Sequence, residues 1–236
     1  MNTFSSAFRR FLITSGAIAA LFSSSASAQL ILNGSFESQT DATFATATTT
    51  PSSSVFSNWF IATSSGTSLF QIASTNADSG LFPNAIDGSL YMTMNGGQTT
   101  AGVGRIYQDF ATTAGQFYEV SFTAGRGSPG AGLIGVQGDV FNVVDGSTSG
   151  GSLGTASSSS STSGSTFYVE TTFGFTATGT TSRLIFRDIS AVTNSVDALL
   201  DDVRVSAVPE PASSAALAGA ALLGLATLRR QRRAAA

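Results

Sequence analysis

The 236-residue chain contains no cysteine, no histidine and no lysine, and each absence removes a class of chemistry. Without cysteine there is no disulfide and no thiol nucleophile. Without histidine there is no imidazole base, and a Cys/His zinc site or haem ligand is equally excluded. Ser-His-Asp hydrolases are therefore ruled out, and the lack of lysine removes Schiff-base catalysis as well.

Charged residues are few and unevenly distributed. Residues 29–208 contain thirteen acidic residues and five arginines, a net charge of −8, and the two ends of the chain hold the other six arginines. A body with this charge is expected to repel nucleic acid and other anionic polymers. We therefore expect no nucleic-acid partner.

Serine, threonine, glycine and phenylalanine are abundant, a composition typical of an all-β extracellular domain. Apolar residues alternate where strands are expected, as at Tyr118, Val120 and Phe122. The pattern predicts an all-β fold, an antiparallel β-sandwich of about ten strands over residues 29–207. The predicted strands are Leu30–Phe36, Val55–Thr63, Leu69–Ser74, Ser89–Met94, Arg105–Ala111, Phe117–Ala124, Leu133–Val144, Phe167–Thr176, Arg183–Ile189 and Ala198–Val205.

Two stretches of the body, residues 41–54 and 147–166, are rich in serine and threonine and poor in apolar residues. Such tracts bury little apolar surface to offset the entropy lost on ordering. Both are predicted to be loose loops of the sandwich, and the second is a possible site of O-glycosylation.

Residues 1–28 have the layout of a signal peptide: paired arginines, an apolar stretch, and small residues before the cleavage point. Cleavage between Ala28 and Gln29 would make Gln29 the first residue of the exported protein. The paired arginines leave general secretion and twin-arginine export both open.

The C-terminal tail, residues 208–236, has three parts in a fixed order. The segment Val208-Pro209-Glu210-Pro211 comes first, and an apolar run over 212–228 follows as a single hydrophobic helix predicted to cross the membrane. The run ends at the basic cluster Arg229, Arg230, Arg232 and Arg233, which the positive-inside rule places in the cytoplasm.

This tail resembles the PEP-CTERM sorting signal of exported bacterial proteins. The resemblance implies an exosortase as the processing partner, an inner-membrane-anchored precursor, and a final location at the cell surface or in the extracellular matrix. A plain C-terminal membrane anchor without processing is the alternative.

Four segments of the body resemble the galactose-binding-like jelly rolls, a group that includes many carbohydrate-binding modules. The resemblance covers most of residues 30–206 and implies a jelly-roll sandwich. The segments are Asn33-Gly34-Ser35-Phe36-Glu37, Asp87-Gly88-Ser89-Leu90-Tyr91-Met92, Ile106–Phe110 with Gly115–Phe122, and Leu199–Val205.

The same resemblance implies a structural Ca²⁺, because an acid of the first strand and an acid of the last strand share one in similar domains. The matching residues are Glu37 and the Asp201-Asp202 pair. Alternation places Asp201 on the core face, where a carboxylate needs a partner. Calcium, an arginine or the amides of a turn would each serve.

No carboxylate pair is marked by the sequence as a glycosidase centre, so no enzyme is expected, and a carboxylate-based glycoside hydrolase is the least favoured alternative. Trp59 lies in a strand-like run and is expected in the core, whereas Tyr107 and Tyr168 are the candidate surface aromatics. The sequence favours a non-catalytic envelope or matrix protein that binds polysaccharide weakly. A purely structural or adhesive matrix protein is the other reading.

Overall fold

Antiparallel β-strands make up most of the regular structure, as the alternating pattern predicts. The computed structural model describes residues 29–38, 44–47, 57–63, 68–74, 84–95, 104–126, 133–160, 167–190, 197–209 and 211–234. Within these ranges there are eleven strands and one helix. They are β1 (Phe44–Ala47), β2 (Phe60–Thr63), β3 (Ser68–Ser74), β4 (Leu90–Asn95), β5 (Gly104–Ala111), β6 (Phe117–Arg126), β7 (Ile134–Val144), β8 (Ser147–Ser160), β9 (Phe167–Thr176), β10 (Thr181–Asp188), β11 (Ala198–Ala207) and α1 (Pro211–Ala234).

The strands form two sheets that enclose the core of the unit Ala28–Val208. The six-stranded sheet has the order β1-β3-β4-β11-β6-β9, and the five-stranded sheet has the order β2-β5-β10-β7-β8. From β4 to β7 the chain alternates between the sheets, and the last strand returns to lie between β4 and β6. The predicted antiparallel β-sandwich is confirmed, with eleven strands in the described residues where about ten were expected.

Aromatic rings fill the centre of the sandwich. Trp59 is fully buried, and its ring centroid lies 5.5 Å from that of Phe36 and 6.2 Å from that of Phe186. Phe186 in turn meets Phe122 edge to face at 5.0 Å. The indole N–H donates to the Asn33 carbonyl at 2.9 Å, so the buried polar atom is satisfied. The expectation that Trp59 packs in the core is confirmed.

Residues 30–36, predicted to be the first strand, form bends and turns instead. Asn33 and Phe36 have φ angles of 54° and 57°, in the left-handed region that an extended strand does not use. The side chain of Gln108 holds the segment, since it donates to the Leu32 carbonyl at 2.9 Å and accepts from the Leu32 amide at 2.7 Å. The Gln108 side chain, together with backbone bonds from Leu30 and Gly34 to β11, therefore satisfies this segment without a regular β-ladder.

The prediction of a loose loop at 147–166 is wrong for residues 147–160, which form β8. Asp145 and Gly146 have φ angles of 50° and 76°, as a two-residue type I′ hairpin turn requires. This turn pairs β8 with β7 in register. The backbone ladder satisfies the amides of β8 without needing apolar side chains. The predicted loop at 41–54 likewise contains β1, and the remaining residues of the two loops lie outside the described residues.

The tail contains the expected helix, which runs over Pro211–Ala234. Proline suits its first position, and Arg232 and Arg233 in the last turn interact favourably with the helix dipole. Among the described residues, no helix is both long enough and apolar enough to cross a bilayer. The prediction of a transmembrane helix over 212–228 is therefore not supported, because alanine, glycine and serine make the run only weakly apolar.

Candidate functional site

Of the four segments that resemble galactose-binding-like jelly rolls, the structure brings three together around residues 86–90. Glu37 holds one end of this stretch, because its Oε1 atom accepts from the Ser89 amide at 2.7 Å and from the Leu90 amide at 2.6 Å. Gly88 immediately precedes these two residues and has a φ angle of 74°. The predicted calcium ligand Glu37 is thus bonded to the backbone of a turn.

Asp201 holds the other end of the same stretch. Its side chain is fully buried, and its Oδ2 atom accepts from the amides of Ile86 at 2.7 Å and Asp87 at 3.1 Å. Oδ1 accepts from the Asp202 amide at 2.7 Å. Burial raises the pKa of Asp201 to about 6, although these three amide bonds act in the opposite direction.

The remaining predicted metal ligand, Asp202, points to a different partner. It lies in a β-bulge with a φ angle of 52°, and its Oδ2 atom is 2.8 Å from Nη2 of Arg204. In the described part of the chain, no group of three acidic side chains is placed to hold a metal ion. The calcium prediction is therefore not supported. Calcium, an arginine and turn amides were the three partners considered for Asp201. The structure shows that the turn amides of Ile86 and Asp87 bind it.

The sorting segment begins where the sandwich ends. The Val208 amide donates to the Phe117 carbonyl at 3.0 Å, and the Gln116 side chain donates to the Val208 carbonyl at 2.7 Å. Pro209 follows and is exposed, Glu210 lies outside the described residues, and Pro211 opens α1. Arg229, Arg230, Arg232 and Arg233 all have exposed side chains on this helix.

The predicted N-terminus of the exported chain is also attached to β11. Gln29 is exposed, but its side chain donates to the Val203 carbonyl at 2.9 Å and accepts from the Val205 amide at 3.3 Å. Ala28, the residue before the predicted cleavage point, lies outside the described residues. Gln29, the first residue expected after signal-peptide removal, is thus bonded to a strand of the sandwich.

The outer face of the five-stranded sheet carries an aromatic platform, which we define as Phe60 and Tyr107. These cross-strand neighbours stack with ring centroids 5.3 Å apart and an angle of 12° between planes. Phe60 is 40% exposed. The guanidinium carbon of Arg183 lies 4.3 Å from the Tyr107 centroid and covers part of that ring. Burial raises the pKa of Tyr107, so its phenol stays protonated near neutral pH.

Ion pairs extend this face across the sheet. Arg183 binds Asp109 with two bonds, Nε to Oδ1 at 2.6 Å and Nη2 to Oδ2 at 2.8 Å. One strand further on, Nη2 of Arg187 lies 2.6 Å from Oδ2 of Asp139. The result is a face with one aromatic platform and a row of polar groups held in place by paired charges.

Part of this face could be predicted from the sequence. Tyr107 was a candidate surface aromatic, and it lies on the platform. Tyr168, the other candidate, is half-buried on the other sheet, and burial raises its pKa strongly. Phe60 was missed, although its position next to buried Trp59 in a strand places it on the opposite face. Pairing of Asp109 with Arg183 depends on strand register, which the sequence does not show.

The fold places this chain among β-sandwich proteins. Two solved structures from Fischerella sp. TAU are similar to it. One is a cyclase in complex with 4-(1H-indol-3-yl)butan-2-one, with a TM-score of 0.54 and 15% identity over 77% of this chain and 98% of that chain. The other is the Stig cyclase Fisc, with a TM-score of 0.52 and 16% identity over 78% and 98%. These identities show the fold alone.

The carbohydrate-binding module TmCBM61, solved with β-1,4-galactotriose, is similar at a TM-score of 0.43 and 14% identity, over 77% of this chain and 100% of that chain. The search of curated proteins gave no match.

The C-terminal tail matches a known family. Residues 207–233 match the family model described as the PEP-CTERM protein-sorting motif. The chain therefore carries a PEP-CTERM sorting motif at its C-terminus, and the resemblance seen in the sequence is confirmed. The motif implies export, processing by an exosortase and sorting to the cell surface.

Proposed function

We propose that this protein is an exported, non-catalytic component of the cell surface or extracellular matrix that binds polysaccharide. The single observation that carries the proposal is the Phe60–Tyr107 stack on the outer face of the five-stranded sheet, in which Phe60 is 40% exposed. Aromatic rings offer apolar faces on which the C–H face of a sugar ring packs. The neighbouring paired charges and amides supply bonds for sugar hydroxyls.

The charge pairing on this face also supports a binding role over catalysis. A glycosidase needs one carboxyl group to donate a proton and a second to act as base or nucleophile. Asp109 is bonded twice by Arg183, and Asp139 accepts from Arg187 and from Gln137. These carboxylates hold the arginines in position and are not arranged as a free acid–base pair.

The first test replaces the platform. We expect the double substitution Phe60→Ala and Tyr107→Ala to weaken polysaccharide binding at least tenfold, a loss of about 1.4 kcal/mol, because the stacking surface is removed. Binding of the purified chain to a panel of neutral and acidic polysaccharides, measured by calorimetry and affinity electrophoresis, gives the result.

Phe117→Ala is the matched control, since Phe117 is 43% exposed and lies on the other sheet. Thermal melting of each variant separates loss of binding from loss of folding. Equal binding by the platform variant and the wild-type chain would rule out this face as the site. If the wild-type chain binds no polysaccharide, the purely structural or adhesive role replaces the proposal.

The second test concerns sorting. Changing Pro209, Glu210 and Pro211 together to alanine is expected to leave the full-length chain unprocessed in the cell envelope. The physical reason is that the substitution removes the whole Pro-Glu-Pro segment that follows Val208 and that the processing enzyme recognises in this type of motif. Immunoblots of envelope and culture fractions measure chain size and location.

A control variant changes the exposed residues Ser147, Thr148 and Ser149 to alanine, which alters three surface positions without touching the tail. This control should be processed like the wild-type chain. Normal processing and release of the tail variant would mean that the Pro-Glu-Pro segment does not direct sorting in this protein.

A further inference from the structure

Arg105 is a third arginine on the face that carries the aromatic platform. It precedes Tyr107 by two residues on β5, so the two side chains lie on the same side of the sheet, about 7 Å apart along the strand. In the pairing of β5 with β10, Arg105 lies directly opposite Arg187. The platform therefore has a pair of adjacent cations at one end.

Among the residues that the structure describes, the charge of Arg105 is not balanced by an acidic side chain. Arg183 and Arg187 are both paired with an aspartate, whereas no acidic residue in the described ranges forms an ion pair with Arg105. Like charges placed directly opposite each other in a sheet destabilise it. An anion bound between Arg105 and Arg187 would relieve that repulsion.

The distribution of charge over residues 29–208 also favours an anionic ligand on this face. Three of its five arginines (Arg105, Arg183 and Arg187) lie on this face, together with the two acids Asp109 and Asp139. The patch formed by these five side chains has a net charge of +1, whereas the whole body has −8. At physiological salt, charges more than about 8 Å away are largely screened, so a ligand on the patch interacts mainly with the local arginines.

We propose that the platform binds an acidic polysaccharide, with a uronic acid carboxylate next to Arg105. This inference rests on the proposed polysaccharide-binding function and names its ligand class. The sugar ring stacks on the exposed ring of Phe60, which Tyr107 supports from behind, and its carboxylate accepts from the Arg105 guanidinium, whose planar donors match a carboxylate. The expectation from net charge, that the body repels anionic polymers, then fails at this one face.

The test compares two polymers that differ only in charge. Polygalacturonate and its carboxyl-reduced form share the same backbone, and a metal chelator in both samples prevents bridging by divalent cations. We expect the purified full chain to bind polygalacturonate at least tenfold more tightly than the reduced polymer, and the difference should shrink as salt is raised.

Arg105→Gln should remove most of that preference. Its affinity for polygalacturonate should fall about tenfold, while its affinity for the reduced polymer should stay within twofold of wild type. Arg204→Gln is the matched control, because Arg204 is an exposed arginine on the opposite sheet and its loss changes the net charge equally. The control should bind polygalacturonate like the wild-type chain.

The outcomes separate this inference from the function on which it rests. Equal binding of both polymers, with loss in the platform variant, would overturn the acidic-ligand assignment and leave polysaccharide binding intact. Equal losses in Arg105→Gln and Arg204→Gln would show that only net charge matters and would also overturn it. If the chain binds none of the polysaccharides, the inference and the proposed function fail together.

Discussion

Gly34→Ala is expected to lower the free energy of unfolding by about 3 kcal/mol or more. A Cβ atom at position 34 would overlap the backbone carbonyl oxygen of Val203. Neither backbone can move away easily, because the Gly34 carbonyl accepts from the Val203 amide at 3.0 Å. Val203 also lies on β11, between the neighbouring strands of the six-stranded sheet, with its side chain in the core.

The measurement is denaturant unfolding followed by the fluorescence of Trp59, the one tryptophan of the chain, which is buried in the core. Gly151→Ala is the control, since a Cβ atom there meets nothing within 4 Å. It should change stability by less than about 0.5 kcal/mol. A Gly34→Ala protein as stable as this control would show that the close contact between residue 34 and β11 does not constrain the fold.

Stability is expected to fall as the pH rises from 5 to 7.5. Burial raises the pKa values of Asp197 and Asp201 to about 6, above the value of about 3.9 for an aspartate in an unfolded chain. The folded state therefore binds these protons more tightly, and the free energy of unfolding decreases as pH rises from about 4 to about 6. For fully buried Asp201 the part between pH 5 and 7.5 is on the order of 1 kcal/mol.

Thermal melts at a series of pH values between 5 and 7.5 test this, with an expected decrease of about 2–4 °C for each kcal/mol lost. Asp201→Asn should flatten the curve, because an amide does not titrate. Asp145→Asn, at an exposed hairpin turn, should keep the wild-type pH dependence. A melting temperature that rises with pH would contradict the prediction.

Most strands could be predicted because their side chains alternate clearly. The predicted strand Arg105–Ala111 differs by one residue from β5, and Phe117–Ala124 lies within β6. The pattern failed where local sequence and tertiary context disagree. Residues 30–36 look apolar enough for a strand but are held as turns by Asn33 and Gln108. Residues 147–160 look like a loop but pair along β7.

The candidate site, like the fold, could be predicted only in part from the sequence. Single residues such as Tyr107 could be named from their type, Glu37 was named as a calcium ligand, and Asp201 was expected to need partners on the core face. The structure assigns these partners as turn amides, because residues 86–90 pass between the two carboxylates. No spacing along the chain reveals that arrangement, since Glu37 and Asp201 are far apart in sequence.

The sequence by itself determined that this protein carries a sorting motif and what kind of fold it has. The Pro-Glu-Pro segment, the helix after it and the arginines are contiguous, and strand alternation is local. Only the tertiary structure decided which residues share the proposed binding face. Strand register places Phe60 beside Tyr107, Asp109 beside Arg183, and Arg105 opposite Arg187. Register depends on how distant strands pack together, and long-range packing is not encoded in any short segment.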